Sequence, residues 1–113
     1  KYYDKKIPVT PNNLFAIGSC TKALTAATLD LLQDDNKVNY DKPVREYLPA
    51  LQFYNEQMNA KIIVRDLMSH RTGLPRHDYS WYGFPSSSRD SLMKRIQYQE
   101  PTFDIRAKWQ YNN

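Results

Sequence analysis

The sequence holds a single cysteine, Cys20, so no disulfide can close within it, and the redox compartment stays open. It has two histidines, His70 and His77. Their spacing to Asp66 or Asp78 matches no standard zinc pattern, so neither is read as a metal ligand. His70 is expected to fix a helix end and His77 to anchor a loop. No run approaches the roughly 18 apolar residues of a membrane-spanning helix. There is no internal repeat and no low-complexity tract. The opening Lys1-Tyr2-Tyr3-Asp4-Lys5-Lys6 has neither an initiator methionine nor the pattern of a signal peptide. The closing Trp109-Gln110-Tyr111-Asn112-Asn113 reads as interior sequence. The expectation is therefore a piece of a longer protein.

What the chain does have suits one globular unit. Its 113 residues are 41% hydrophobic and 25% charged, enough for one domain that buries roughly two-thirds of its unfolded surface. The net charge of +4 permits contact with anionic polymers without demanding it. Arg65, Arg71, Arg76, Arg89 and Arg95 are scattered along the chain, which reads as solvated surface rather than a nucleic-acid interface.

The stretch Phe15–Gln33 organises the rest. A short extended lead-in reaches a glycine turn at Gly18, and a helix is predicted from Ser19 or just after it, with Ser19 as N-cap. Leu24, Ala27 and Leu31 form one stripe, widened by Ala23, Ala26 and Leu32, and a helix this apolar is ordinarily buried. Lys22 lies three residues beyond Ser19, so their side chains share a face. A lysine at a helix start opposes the macrodipole, and an apolar helix raises its cost. A hydroxyl and an amine together at such a position point to chemistry: the amine, its proton affinity lowered, can activate the hydroxyl as a nucleophile. Cys20 is expected to be a small buried packing residue.

Further along, the Asp34-Asp35-Asn36 cluster should end this helix. Asp41 is expected to cap a short helix over Pro43–Tyr47, stopped by Pro49. Residues 50–60 favour no one structure, with Phe53 and Tyr54 as anchors. Val64–Ser69 reads as a short helix with Leu67 and Met68 inward, and Gly73 as its left-handed exit. Residues 76–88 form a long loop carrying Tyr79, Trp81, Tyr82 and Phe84, and loops of this length tend to be functional. Ser88 should cap a helix over Arg89–Tyr98 with Leu92, Met93 and Ile96 inward.

S-x-x-K alone carries little weight, since chance supplies about 0.6 matches in a chain of this composition. It occurs twice. Ser91–Lys94 lies on the solvent face of an amphipathic helix. Ser19–Lys22 stands within F-A-I-G-S-C-T-K-A-L-T-A, which resembles the active-site helix of class C serine β-lactamases and their D-Ala-D-Ala peptidase and esterase relatives. Three more segments fit in order. Tyr40–Pro49 is similar to the D-x-P-V-x-x-Y-L-P segment, Ile63–Pro75 to the I-R-x-L-L-x-H-x-S/T-G-L-P segment, and Tyr111-Asn112-Asn113 to the Y-x-N element.

The resemblance covers nearly the whole chain and implies a serine hydrolase. Ser19 would be the acylated nucleophile, with its backbone N–H as half of an oxyanion hole. Lys22 would accept or relay the serine proton, and Tyr111 would be a second proton shuttle. Asn113 would bind a substrate amide carbonyl and touch Lys22. No metal and no cofactor is implied. The family's third motif, K-T-G or H-x-G on a β-strand, has no counterpart here, and Arg106-Ala107 stands where relatives often have glycine. The fold implied is mainly α: residues 1–113 as a single partial domain, the helical part of an α+β fold whose antiparallel sheet lies elsewhere. Such a piece would be inactive alone, and the face of the Ser19 helix without its sheet would drive self-association as a symmetric dimer. Substrates implied are small molecules or peptides: a β-lactam, a D-amino-acid peptide or an ester. A periplasmic or extracytoplasmic setting in bacteria follows from the family. Two alternatives stand beside the hydrolase: a penicillin-sensing module that acylates without turnover, and a basic helical interaction module in which S-x-x-K is coincidental.

Overall fold

The computed structural model describes residues 7–113. The sequence expectation for Lys1–Thr10, an edge strand or loose tail, falls partly outside them, and residues 7–10 form no strand. The described residues are helical, with one isolated antiparallel bridge between Pro43 and Ile63 and no strand. The mainly α architecture is therefore the one expected.

A 3-10 turn over Gly18–Cys20 leads into α1, Thr21–Asp34. Ser19 is not the N-cap. That position falls on Cys20, which makes no side-chain capping bond, because the chain is already wound tightly at Gly18. The helix ends where the turn cluster predicts. Asn36 takes φ +56°, its N–H donates to Gln33 O at 2.9 Å, and Lys37 N donates to Leu32 O at 2.8 Å, a Schellman closure. No residue of α1 is buried: Leu24 and Leu31 are 62% and 67% exposed, and Leu29 packs partly against the core.

The core lies in the middle of the chain. Tyr40, Val44, Leu51, Phe53, Met58, Ile62, Val64 and Leu74 are buried together. Helices α2 (Val44–Tyr47), α3 (Glu56–Lys61) and α4 (Val64–Met68) surround this cluster. Asn55 caps α3 by accepting from Met58 N at 2.9 Å, which gives residues 50–60 a structure their composition left undecided. Phe53 anchors as expected, whereas Tyr54 is exposed. Asp41 does not cap α2. Its carboxylate receives both Nε and Nη2 of Arg65, at 2.8 and 2.9 Å, a contact that holds it below the usual carboxylate range. The backbone seals the same junction: Val44 N donates to Ile62 O, Val64 N to Lys42 O, and Arg65 N to Tyr40 O. Tyr40 donates to Asp30, and burial with that carboxylate pushes its phenol up to about 12. The contact ties α1 to the core.

Within α4, Val64 and Asp66 face inward and Leu67 is more exposed than expected. The left-handed residue just past the Ser69 C-cap is His70, at φ +56°, and Gly73, left-handed as well, lies three residues further on. A Cβ on Gly73 would lie 2.2 Å from Phe103 O, and Gly73 also has φ +84°. Only glycine allows residues 102–103 to cross this close. The long loop carries a short helix, α5 (Tyr79–Tyr82), and α6 (Arg89–Arg95) follows with Ser88 as its cap, accepting from Ser91 N at 3.3 Å.

Candidate active site

Two segments far apart in sequence meet here. The first is the Gly18–Cys20 turn and the opening of α1. Gly18 takes φ +52° in open space, so the requirement for glycine is one of backbone angle alone. One helical turn separates Ser19 from Lys22, which puts both on the side facing residues 111–113.

The second segment runs from Arg106 to Asn113 and is held by the loop after α4. Arg106 N donates to Arg71 O at 2.8 Å, and Gln110 N to His70 O at 3.0 Å. Asn112 N donates to His70 Nδ1 at 3.3 Å, and its side-chain amide donates to Pro75 O. The His70 ring lies 4.6 Å from that of Tyr111 and meets Trp109 edge-on at 6.1 Å. Burial, and then the Lys22 charge, holds the His70 imidazole below its usual range, which keeps Nδ1 free to accept. His70 therefore fixes the tyrosine segment as well as a helix end.

All four residues singled out in the sequence come together. The Tyr111 hydroxyl lies 2.6 Å from Ser19 Oγ, and Lys22 Nζ donates to Asn113 Oδ1 at 2.7 Å. Lys22 Nζ is 4.9 Å from the centre of the Tyr111 ring, and the Arg76 guanidinium is 5.2 Å from it. Hydrogen bonding by Lys22 and by Ser19, aided by the Lys22 and Arg76 charges, holds the Tyr111 phenol below its usual value. That favours a phenolate able to accept the serine proton.

The sequence reading missed a second layer. Asn113 Nδ2 donates to Asp78 Oδ1 at 3.1 Å, and Arg76 Nε donates to Asp78 Oδ2 at 2.7 Å. The Asn113 hydrogen bond, with Arg76, keeps the Asp78 carboxyl below the usual range. The amide of Asn113 is thus oriented at both ends, carbonyl to Lys22 and NH2 to Asp78. In the sequence Asp78 stands out only by its spacing to the histidines. The available signal was the Arg-x-Asp pair directly after Gly73-Leu74-Pro75. Elsewhere, Ser91 and Lys94 are exposed on α6, in keeping with a solvated face. Cys20 is exposed rather than buried, since the turn it closes lies at the surface.

Comparison with known proteins concerns the chain as a whole. The Beta-lactamase family model matches residues 1–113. The chain is 40% identical over 114 aligned positions to "Unguisins hydrolase ungD'" of Aspergillus campestris, covering 93% of this chain and 21% of that protein. It is 36% identical over 78 positions to "Teichoic acid D-alanine hydrolase" of Staphylococcus aureus, covering 69% of this chain and 18% of that protein. The chain thus spans about a fifth of the length of these relatives. Both relatives are named as hydrolases, and the family is one of serine hydrolases. This chain belongs to the Beta-lactamase family.

Proposed function

We propose that the protein carrying this chain is a hydrolase that works through an ester on Ser19. The contact between Tyr111 and Ser19 Oγ, 2.6 Å, is the observation that carries the reading. With Tyr111 ionised, Ser19 donates its proton across that contact, and Oγ attacks the substrate carbonyl carbon. The negative charge that develops on the carbonyl oxygen faces the Ser19 backbone N–H. The proton then passes to the leaving group as its bond to the carbonyl carbon breaks. Water, losing a proton back to the same groups, hydrolyses the ester and restores Ser19. The ammonium of Lys22 stabilises the phenolate and relays the proton, and Asn113 holds both Lys22 and a substrate carbonyl in place.

The names of the two relatives favour turnover over sensing, and the D-alanine in one of them favours D-amino-acid esters or amides over simple esters. The test is labelling of the full-length protein with a fluorophosphonate and with a fluorescent penicillin. Ser19→Ala is expected to abolish labelling. Lys22→Ala and Tyr111→Phe are each expected to slow it by about 10²- to 10⁴-fold, the usual range for a lost proton-transfer group. Labelling that persists undiminished in Ser19→Ala would overturn the assignment.

A further inference from the structure

Asp78 stands at the head of α5, where an aspartate ordinarily caps the helix, yet its side chain makes no capping bond. Both carboxylate oxygens are engaged elsewhere. Oδ1 accepts from Asn113 Nδ2 at 3.1 Å, and Oδ2 accepts from Arg76 Nε at 2.7 Å. The Asn113 amide therefore bridges Asp78 and the Lys22 amine, its Oδ1 accepting from Nζ at 2.7 Å. An amide has an acceptor end and a donor end, and a half-turn exchanges them. With its carbonyl toward Lys22, the amine can be an ammonium. With its NH2 toward Lys22, the amine must offer a lone pair and so be neutral.

Asp78 decides between these arrangements. An ionised carboxylate only accepts, so it matches the NH2 end of the amide and repels the carbonyl end. The Asn113 hydrogen bond, and then Arg76, hold the Asp78 carboxyl below its usual range, so it is ionised at neutral pH. Water in its place would serve either end equally. The choice matters for the proton that Lys22 and Tyr111 share. Moved from Nζ to the phenolate oxygen, that proton leaves a neutral amine and a neutral phenol. Net charge is unchanged, but the phenolate beside Ser19 is gone.

We propose that Asp78 is a positioning residue: by accepting from the NH2 of Asn113 it keeps the amide carbonyl on Lys22, holds the shared proton on the amine, and leaves the negative charge on Tyr111 facing Ser19. This role rests on the assignment of Ser19 as nucleophile and Tyr111 as its base. Among the described residues, the charged or titratable groups around the Tyr111 ring are Lys22 from α1, His70 from the loop after α4, and Arg76 from the loop before α5. His70 is bonded to Asn112 rather than to Asp78. Asp78 reaches Tyr111 through Asn113 and through Arg76, and the two routes predict opposite pH profiles.

The test follows the rate of fluorophosphonate labelling of the full-length protein from about pH 5 to about pH 10. Lys22 and Tyr111 titrate as a pair, and in Asp78→Ala the neutral amine and phenol take up part of the population once one proton has left. Labelling at the acidic end should stay within about threefold of wild type, because the amine is an ammonium there in both proteins. The alkaline plateau should fall by about tenfold or more, with the midpoint displaced to lower pH by about one unit per tenfold. Asp78→Ser, whose hydroxyl can serve either end of the amide, carries the same expectation where the alanine variant does not fold. Arg76→Ala keeps the Asp78–Asn113 bond and should do the reverse: slower labelling at acidic pH, a midpoint moved up, and the plateau kept. A plateau equal to that of wild type in the Asp78 variants overturns the positioning role and leaves Ser19 untouched. So does an equal loss at every pH, the mark of a displaced site, or an Asp78 profile that copies that of Arg76→Ala. Absence of labelling in wild type, or labelling undiminished in Ser19→Ala, overturns the nucleophile and this role together.

Discussion

Arg106 is a left-handed residue without being glycine, at φ +67°, and the structure says what keeps it there. Its Nε and Nη2 each donate to Asp66 at 2.8 Å, and Nη2 also donates to Lys61 O at 2.9 Å. Asp66 is 3% exposed, and among the described residues the only other partner of its carboxylate is Ile63 N, at 3.0 Å. Substituting Arg106→Gly relieves about 1–2 kcal/mol of backbone strain, but the added freedom of the unfolded chain offsets about 0.5–1 of it. Breaking a buried ion pair costs about 3–5 kcal/mol. The Arg106 side chain is 44% exposed, so water reaches the pair, and a loss of about 2–3 kcal/mol remains after that discount. Arg106→Ala keeps the strain and should be about 1 kcal/mol worse than Arg106→Gly. Urea midpoints of the full-length protein at constant slope measure both. The same clamp begins the segment that carries Tyr111, so Ser19 labelling should slow by more than the folded fraction alone explains, since a misplacement of ~1 Å can cost about 10²-fold. An Arg106→Gly protein as stable as wild type would show that the ion pair contributes no more than the strain relief offsets, about 1 kcal/mol, and refute this account.

Three other outcomes are expected. Gly73→Ala should cost at least about 2 kcal/mol, since the new methyl meets Phe103 O, whereas Gly18→Ala should cost about 1, for the angle alone; similar losses in thermal unfolding would contradict this. Because folding lowers the His70 pKa, the unfolded chain binds the proton more readily, so the stability from a neutral His70 is complete above about pH 6.5 and is lost as pH falls through the lower folded value. His70→Asn should flatten that part of the pH–stability curve, and an unchanged slope would count against the Asn112–His70 bond. The 113-residue chain exposes Phe15, Ile17, Leu24 and Leu31 together with the α1 surface, and it should self-associate, as a symmetric dimer. A clean monomer in sedimentation would refute that.

The sequence by itself singled out the four residues that folding brings together, and the order of the segments that carry them. Ser19 and Lys22 are neighbours by helical spacing, and Asn36, Pro49 and Ser88 mark boundaries through local backbone and capping preferences, which need no tertiary partner. The resemblance marked Tyr40–Pro49 and Ile63–Pro75 as separate segments, and the structure joins them at Pro43 and Ile63. Only tertiary structure decided what those residues touch. Asp41 looked like a cap and is the partner of Arg65, and Ser19 looked like a cap and faces Tyr111 across 92 positions of chain. Arg76, Asp78 and His70 gained their places from long-range hydrogen bonds that no local pattern encodes. A polar side chain satisfies its hydrogen bonds with whatever folding brings near. Local spacing therefore fixes which groups can meet within a turn, and packing of the core fixes which ones meet across the chain.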